Sequence, residues 1–172
     1  MKKEIKLLCL SAAFCVVCVF CSAISIPTPF GVPLTLAPFA FCLVGLCLPI
    51  KNALLCYFSY LLLGVCGVPV FSSFSGGLGI LLGKNGGFII GYIFIVILSS
   101  LYRRKSLLLG SVFSSLGVII CHLLGVSYLS FVTDTPFVSA LLVASVPFLF
   151  KDIVLCVLAQ LLKGKIMRFL VD

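Results

Sequence analysis

The chain has 172 residues, 63% of them hydrophobic and only 9% charged, with a mean hydropathy of +1.40. Soluble globular chains do not reach such values, so the composition points to an integral membrane protein with several helices, folded as a single membrane domain over residues 1–172. The net charge of +8 would suggest nucleic acid in a soluble protein, but here the basic residues sit at the ends of apolar segments, which argues against a nucleic-acid partner.

Six apolar segments follow in chain order. The first runs from Ile5 to Ile26 and is closed by Pro27 and Pro29. Met1 to Ala23 resembles a signal peptide, but the cleavage site is weak, and the stretch is read as the first helix. Residues 25–38 contain four prolines and cannot be continuous helix. The second segment spans about Leu34 to Pro49, and the third Ala53 to about Val68. A glycine-rich stretch separates the third from the fourth, Gly87 to about Leu101. The fifth covers Ser106 to about Val126, and a polar patch at Ser130, Thr133, Asp134 and Thr135 follows it. The sixth runs from Phe137 to about Leu162. The expected architecture is all-α, with six membrane-spanning helices.

Charge asymmetry supports that count. With the N-terminus inside, ten of the twelve basic residues fall on inner segments: Lys2, Lys3, Lys6, Lys51, Arg103, Arg104, Lys105, Lys163, Lys165 and Arg168. Lys84 and Asp134 are left outside, and Lys151 falls within a span. This is the distribution the positive-inside rule requires, and it places both termini in the cytoplasm. No internal repeat is evident, so an inverted-repeat transporter is not supported.

The glycine-rich stretch from Gly64 to Gly91 holds nine of the fifteen glycines and one charge, Lys84. Irregular backbone at membrane depth must be packed under protein or line a cavity, because unpaired amides in lipid cost several kcal/mol. A small-molecule site is one outcome. Another is tight helix packing, since Gly79, Gly83, Gly87 and Gly91 recur every fourth residue. Lys84-Asn85 does not complete a phosphate-binding loop: Gly77 and Gly83 enclose five residues, and Asn85 follows the lysine where Ser or Thr is needed. ATP therefore has no site in this chain.

Asp152 is the one acidic residue inside a predicted span. Such a carboxylate usually faces the bundle interior and marks a ligand or ion path; a structural hydrogen bond to a neighbouring helix is the plainer reading. Lys151 is adjacent in sequence, so the two side chains point about 100° apart and need not pair. Lys151 either snorkels or reaches the same cavity from another side. Asn85 offers a donor and an acceptor in apolar surroundings. Phe71, Phe74, Phe88 and Tyr92 could stack on a flat ring or simply fill the core. His122, the only histidine, lacks acidic or thiol neighbours at ligand spacing and reads as a packing residue rather than a metal ligand. Cys15, Cys18 and Cys21 have an iron–sulfur-like spacing, but they lie mid-helix without a fourth ligand and read as packing. Neither a metal nor a cofactor is expected.

The runs GVPLTLAPFAFCLVGLCLP, YLLLGVCGVPVFSSFSGGLGILLGKNGGFIIGY and VPFLFKD resemble the BioY family, the biotin-specific S components of energy-coupling factor (ECF) transporters. The likeness covers about Ile24 to Leu162. It implies six helices, a biotin site opening outward, a transmembrane T component and a pair of cytoplasmic ATP-binding cassette subunits. It also implies that Asp152 accepts from the ureido N–H groups and Asn85 serves the ureido oxygen. Backbone N–H groups of the loop, such as those of Gly76 and Gly77, or a lysine, Lys84 or Lys151, would hold the carboxylate. The chain departs from the family pattern in placing Lys151 before Asp152, with Leu155 where a lysine is usual. Lys84-Asn85 replaces Pro-Thr, and Ala37-Pro38 replaces Gln-Thr. Helix 1 lacks the alanine pair used for docking on the T component, with Ser11 and Cys15 or Cys18 and Ser22 as small substitutes. Other readings are an S component for another small vitamin, a membrane-embedded transferase, or a structural or pore-forming protein.

Overall fold

A computed structural model describes residues 2–28 and 32–171; Pro29 and Gly31, named above, lie outside the described residues. The helices are α1 (Lys2–Ala23), α2 (Ala37–Cys47), α3 (Ile50–Val65), α4 (Leu78–Leu82), α5 (Gly86–Leu101), α6 (Leu107–Thr133), α7 (Phe137–Ala144) and α8 (Val146–Val171). A short antiparallel ladder joins β1 (Ser25–Ile26) to β2 (Leu34–Thr35), pairing Ser25 with Thr35 and Ile26 with Leu34. This ladder is an addition to the expected all-α architecture. It forms where the prolines forbid helix and the apolar second segment was expected to have begun already.

Why α2 is central follows from its sequence. APFAFCLVGLC is apolar on every side, and a helix without a polar face must be surrounded by protein or lipid. All of its residues but Phe39 are buried, and it packs on α1, α3, α5 and α8. Helices α5 and α6 form the most extensive pair. Glycines make this possible: a Cβ on Gly91 would come 3.0 Å from the Cα of Cys121, and one on Gly117 would come 2.9 Å from the Cα of Ile95. The flanks carry exposed apolar side chains, Leu108, Phe131 and Phe150 among them, as a lipid-facing surface does.

Two helices, Glu4–Ala23 and Leu107–Thr133, are long and apolar enough to cross a membrane by themselves. The bent pair Phe137–Ala144 and Val146–Arg168 makes a third, with 49° between its halves. The remaining apolar helices are shorter; the 16 residues of α3 or α5 rise about 24 Å.

Three boundaries differ from the sequence expectation. Helix α6 continues through the polar patch to Thr133, because Thr133 Oγ1 returns its proton to the Leu129 carbonyl at 2.8 Å. It stops at Asp134, in the left-handed region with φ 51°. The sixth segment is broken at Ser145, because Pro147 has no N–H to continue the ladder. The glycine-rich stretch is not one loop: it contains a 3-10 turn at Ser72–Phe74 and the short α4.

Two basic residues bind one end of the bundle together. Arg103 donates to the Cys47 carbonyl at 3.5 Å, and Lys163 donates to the Arg103 carbonyl, tying the ends of α2, α5 and α8 together. The small pairs on α1 point inward: Ser11, Cys15, Cys18 and Ser22 are all buried, so none of them is presented for docking as expected.

Candidate functional site

At the opposite end the helices diverge around a cavity open at its mouth. Three helices supply much of the wall in steps of three and four residues, which keeps the contributing side chains on one face, with Ser22, Tyr60 and Ala144 added from α1, α3 and α7. Phe88, Ile89 and Tyr92 come from α5, Val118, Cys121 and His122 from α6, and Phe148, Lys151 and Asp152 from α8. Ile95 and Val118, both fully buried, lie between the cavity and the hydrogen-bonded serines Ser99 and Ser114 deeper in the bundle.

Val32, Pro33, Thr35 and Ser72 contribute from the two loops, and Ala37 and Pro38 from the start of α2. The two loops are joined where Ser25 Oγ meets both the hydroxyl and the N–H of Ser73, each at 2.9 Å. Ser73 and Phe74 hold φ near +55° (57° and 54°) to make that turn, a conformation that costs a non-glycine residue about 1–3 kcal/mol. The connection is thus specified by long-range hydrogen bonds rather than by local preference.

Asp152 is 4% exposed, so its charge must be met inside the protein. Oδ2 lies 3.1 Å from Nε2 of His122, and Nδ1 of the same ring lies 3.0 Å from Ser145 Oγ. Lys151 Nζ stands 2.6 Å from Oδ1 but donates to the Thr35 carbonyl at 2.7 Å. The contact with Oδ1 is an ion pair without hydrogen-bond alignment, so Oδ1 has no hydrogen-bond partner. Of the alternatives open for Lys151, the structure shows it at the same cavity and paired with Asp152. One correction follows: His122 does have an acidic partner, thirty residues away on another helix.

The structure brings Asp152, Lys151, Asn85 and Tyr92 to one cavity. Tyr92 stacks on Phe41 with centroids 4.9 Å apart, so its ring is fixed from behind. Asn85 Oδ1 and Ser22 Oγ are further buried atoms without partners on the cavity wall. The other sequence candidates lie elsewhere. Phe71 is fully buried, edge-on to Tyr60 and over Gly64, where a Cβ would meet its ring at 2.1 Å. Gly77 spends its N–H on the Gly64 carbonyl at 2.7 Å, and Gly76 packs on Val68. These three shape the loop and do not line the cavity. Lys84 is exposed on the turn beside Asn85. The sequence reading gave His122 a packing role and Ser22 a docking role, and passed over Ser145 and Thr35; Pro147 marks the break that places Ser145.

The sequence pattern of the BioY family matches residues 1–172. This chain belongs to the BioY family. Among relatives, it is 37% identical over 123 residues to the "Probable biotin transporter BioY" of Pyrococcus horikoshii, covering 72% of this chain and 73% of that protein. It is 35% identical over 153 residues to the "Biotin transporter BioY" of Thermotoga maritima, covering 86% and 88%. The fold is similar to a crystal structure described as the S-component for biotin from an ECF-type ABC transporter, with a TM-score of 0.89 over 97% of this chain and 93% of that one. At 22% identity that likeness concerns the fold. Within the family frame, the three sequence runs that carry the resemblance supply part of the cavity wall of this BioY chain, and α6 supplies Val118, Cys121 and His122 from outside them.

Proposed function

We propose that this chain is the biotin-binding S component of an ECF-type vitamin importer. It captures biotin in an outward-facing pocket while a transmembrane T component and cytoplasmic ATP-binding cassette ATPases drive uptake. It forms one membrane domain with six passes and both termini cytoplasmic, in a bacterial or archaeal cell membrane. The names of its relatives support transport rather than an enzymatic role.

One observation carries the reading: a buried carboxylate, that of Asp152, belongs to a residue lining a largely apolar cavity, and its Oδ1 is met only by the Lys151 ammonium, without hydrogen-bond alignment. Such an oxygen keeps unused acceptor capacity, so the site favours a compact apolar ligand that brings an N–H group. Biotin has that chemistry, with a ureido group on a bicycle and a carboxylate tail. Asp152 accepts from the ureido N–H, and Asn85, whose amide both donates and accepts, takes the ureido oxygen. Tyr92 packs against the bicycle. Lys151 is already engaged with Asp152 and Thr35, so Lys84, on the rim beside Asn85, is assigned to the carboxylate. Closure of the outer loops over biotin precedes reorientation of the subunit in the membrane.

Calorimetry on the purified chain with biotin, thiamine and riboflavin tests the assignment. Tight binding of biotin alone supports it. Tight binding of either other vitamin in its place contradicts the ligand, and binding of none contradicts the S-component reading.

A further inference from the structure

The two oxygens of Asp152 have different surroundings. Oδ2 faces His122 Nε2 at 3.1 Å, whereas Oδ1 has only the misaligned ammonium of Lys151 beside it. His122 is itself held from two further directions. Ser145 Oγ lies 3.0 Å from Nδ1, at the break between α7 and α8, and the Phe88 ring meets the imidazole edge-on with centroids 5.8 Å apart. Phe88 can stand there only because residue 125 is glycine, since a Cβ at that position would come 2.3 Å from the ring.

We propose that His122 is a positioning residue of the binding site: it takes Oδ2 of Asp152 and thereby leaves Oδ1 as the single acceptor offered to a ligand N–H. The inference deepens the biotin reading above and rests on it. A carboxylate accepts at either oxygen, and on a helix its side chain turns about two bonds, so an untethered aspartate presents no fixed acceptor. With Nε2–H directed at Oδ2, the Ser145 hydroxyl, 3.0 Å from Nδ1, is placed to donate to it. Lys151 pairs with the other oxygen of the same carboxylate at 2.6 Å. A second cation in place of His122 would leave uncompensated positive charge in a buried site. The histidine therefore fixes the carboxylate without competing for the ligand.

His122 is the only histidine, so labelling with 15N-histidine gives a single imidazole spectrum from the full chain in detergent. The expected spectrum is that of a ring carrying a proton at Nε2, and Asp152→Asn and Ser145→Ala each shift it. In calorimetry His122→Leu binds biotin at least about tenfold more weakly, because the carboxylate loses its tether and a partner. His122→Gln recovers most of that loss, since its amide N–H reaches the same oxygen, although both variants lower the unfolding midpoint alike. The proposal is overturned by a spectrum that Asp152→Asn leaves unchanged, by His122→Leu with wild-type affinity, or by His122→Gln binding no better than His122→Leu. Failure of the wild type to bind biotin, with the Asp152-dependent spectrum intact, counts against the biotin reading and for the positioning pair.

Discussion

The glycines of the α5–α6 seam and those of the connection between α3 and α5 are indistinguishable by spacing, yet they do opposite things. In the seam there is no room for a side chain. A Cβ on Gly87 would come 2.5 Å from that of Tyr128 and 3.1 Å from the Cα of Gly125, and one on Gly91 would collide with Cys121. In the connection, Gly67, Gly77 and Gly79 have nothing within 4 Å of the same position. There the backbone is the constraint: Gly67 and Gly77 hold φ of +95° and +99°. One region uses glycine to bring helices together, and the other uses it to turn a chain that covers a cavity. The four-residue repeat of Gly79, Gly83, Gly87 and Gly91 is therefore split, since Gly83 ends α4 and only Gly87 and Gly91 face α6.

Substitutions across the two regions should separate these roles. Gly91→Val forces α5 off α6 and is expected to cost about 3 kcal/mol, read as a lower unfolding midpoint in detergent. Gly125→Ala presses on Phe88 and is expected to cost about 2 kcal/mol; it also weakens biotin binding, because the displaced ring bears on His122. Gly77→Ala meets no neighbour but adopts a backbone region nearly reserved for glycine, at about 1–2 kcal/mol. Gly79→Ala, inside the helical turn of α4, changes stability by about 0.5 kcal/mol or less, or raises it slightly. A Gly79→Ala variant as damaged as Gly91→Val would mean that the repeat acts as one packing face and would break the distinction.

Much of the bundle was legible because apolar segments and basic ends are one-dimensional signals. Asp152 stood out for the same reason, as a single acid in an apolar run. The pairing of His122 with Asp152 was not legible, since residues thirty apart meet only once α6 and α8 are packed. The break at Ser145 was available from Pro147 and was overridden by the continuous hydrophobicity of the sixth segment. Phe71, Gly76 and Gly77 drew attention through their motif, but the motif encodes how the loop folds, and its contribution to the cavity wall is Ser72. The extension of α6 to Thr133 was hidden because hydroxyls that look like loop residues bond back to their own helix.

The seam and the connection both border the cavity that Asp152 lines, where a packed bundle opens into a pocket. Titration of the purified chain with biotin, before and after Asp152→Asn, tests that assignment most directly. The substitution preserves shape but turns one acceptor oxygen into a donor, so affinity should fall at least about tenfold, roughly 1.4 kcal/mol or more, with the fold intact. Equal affinity in the two proteins would remove Asp152 from the site and contradict the account.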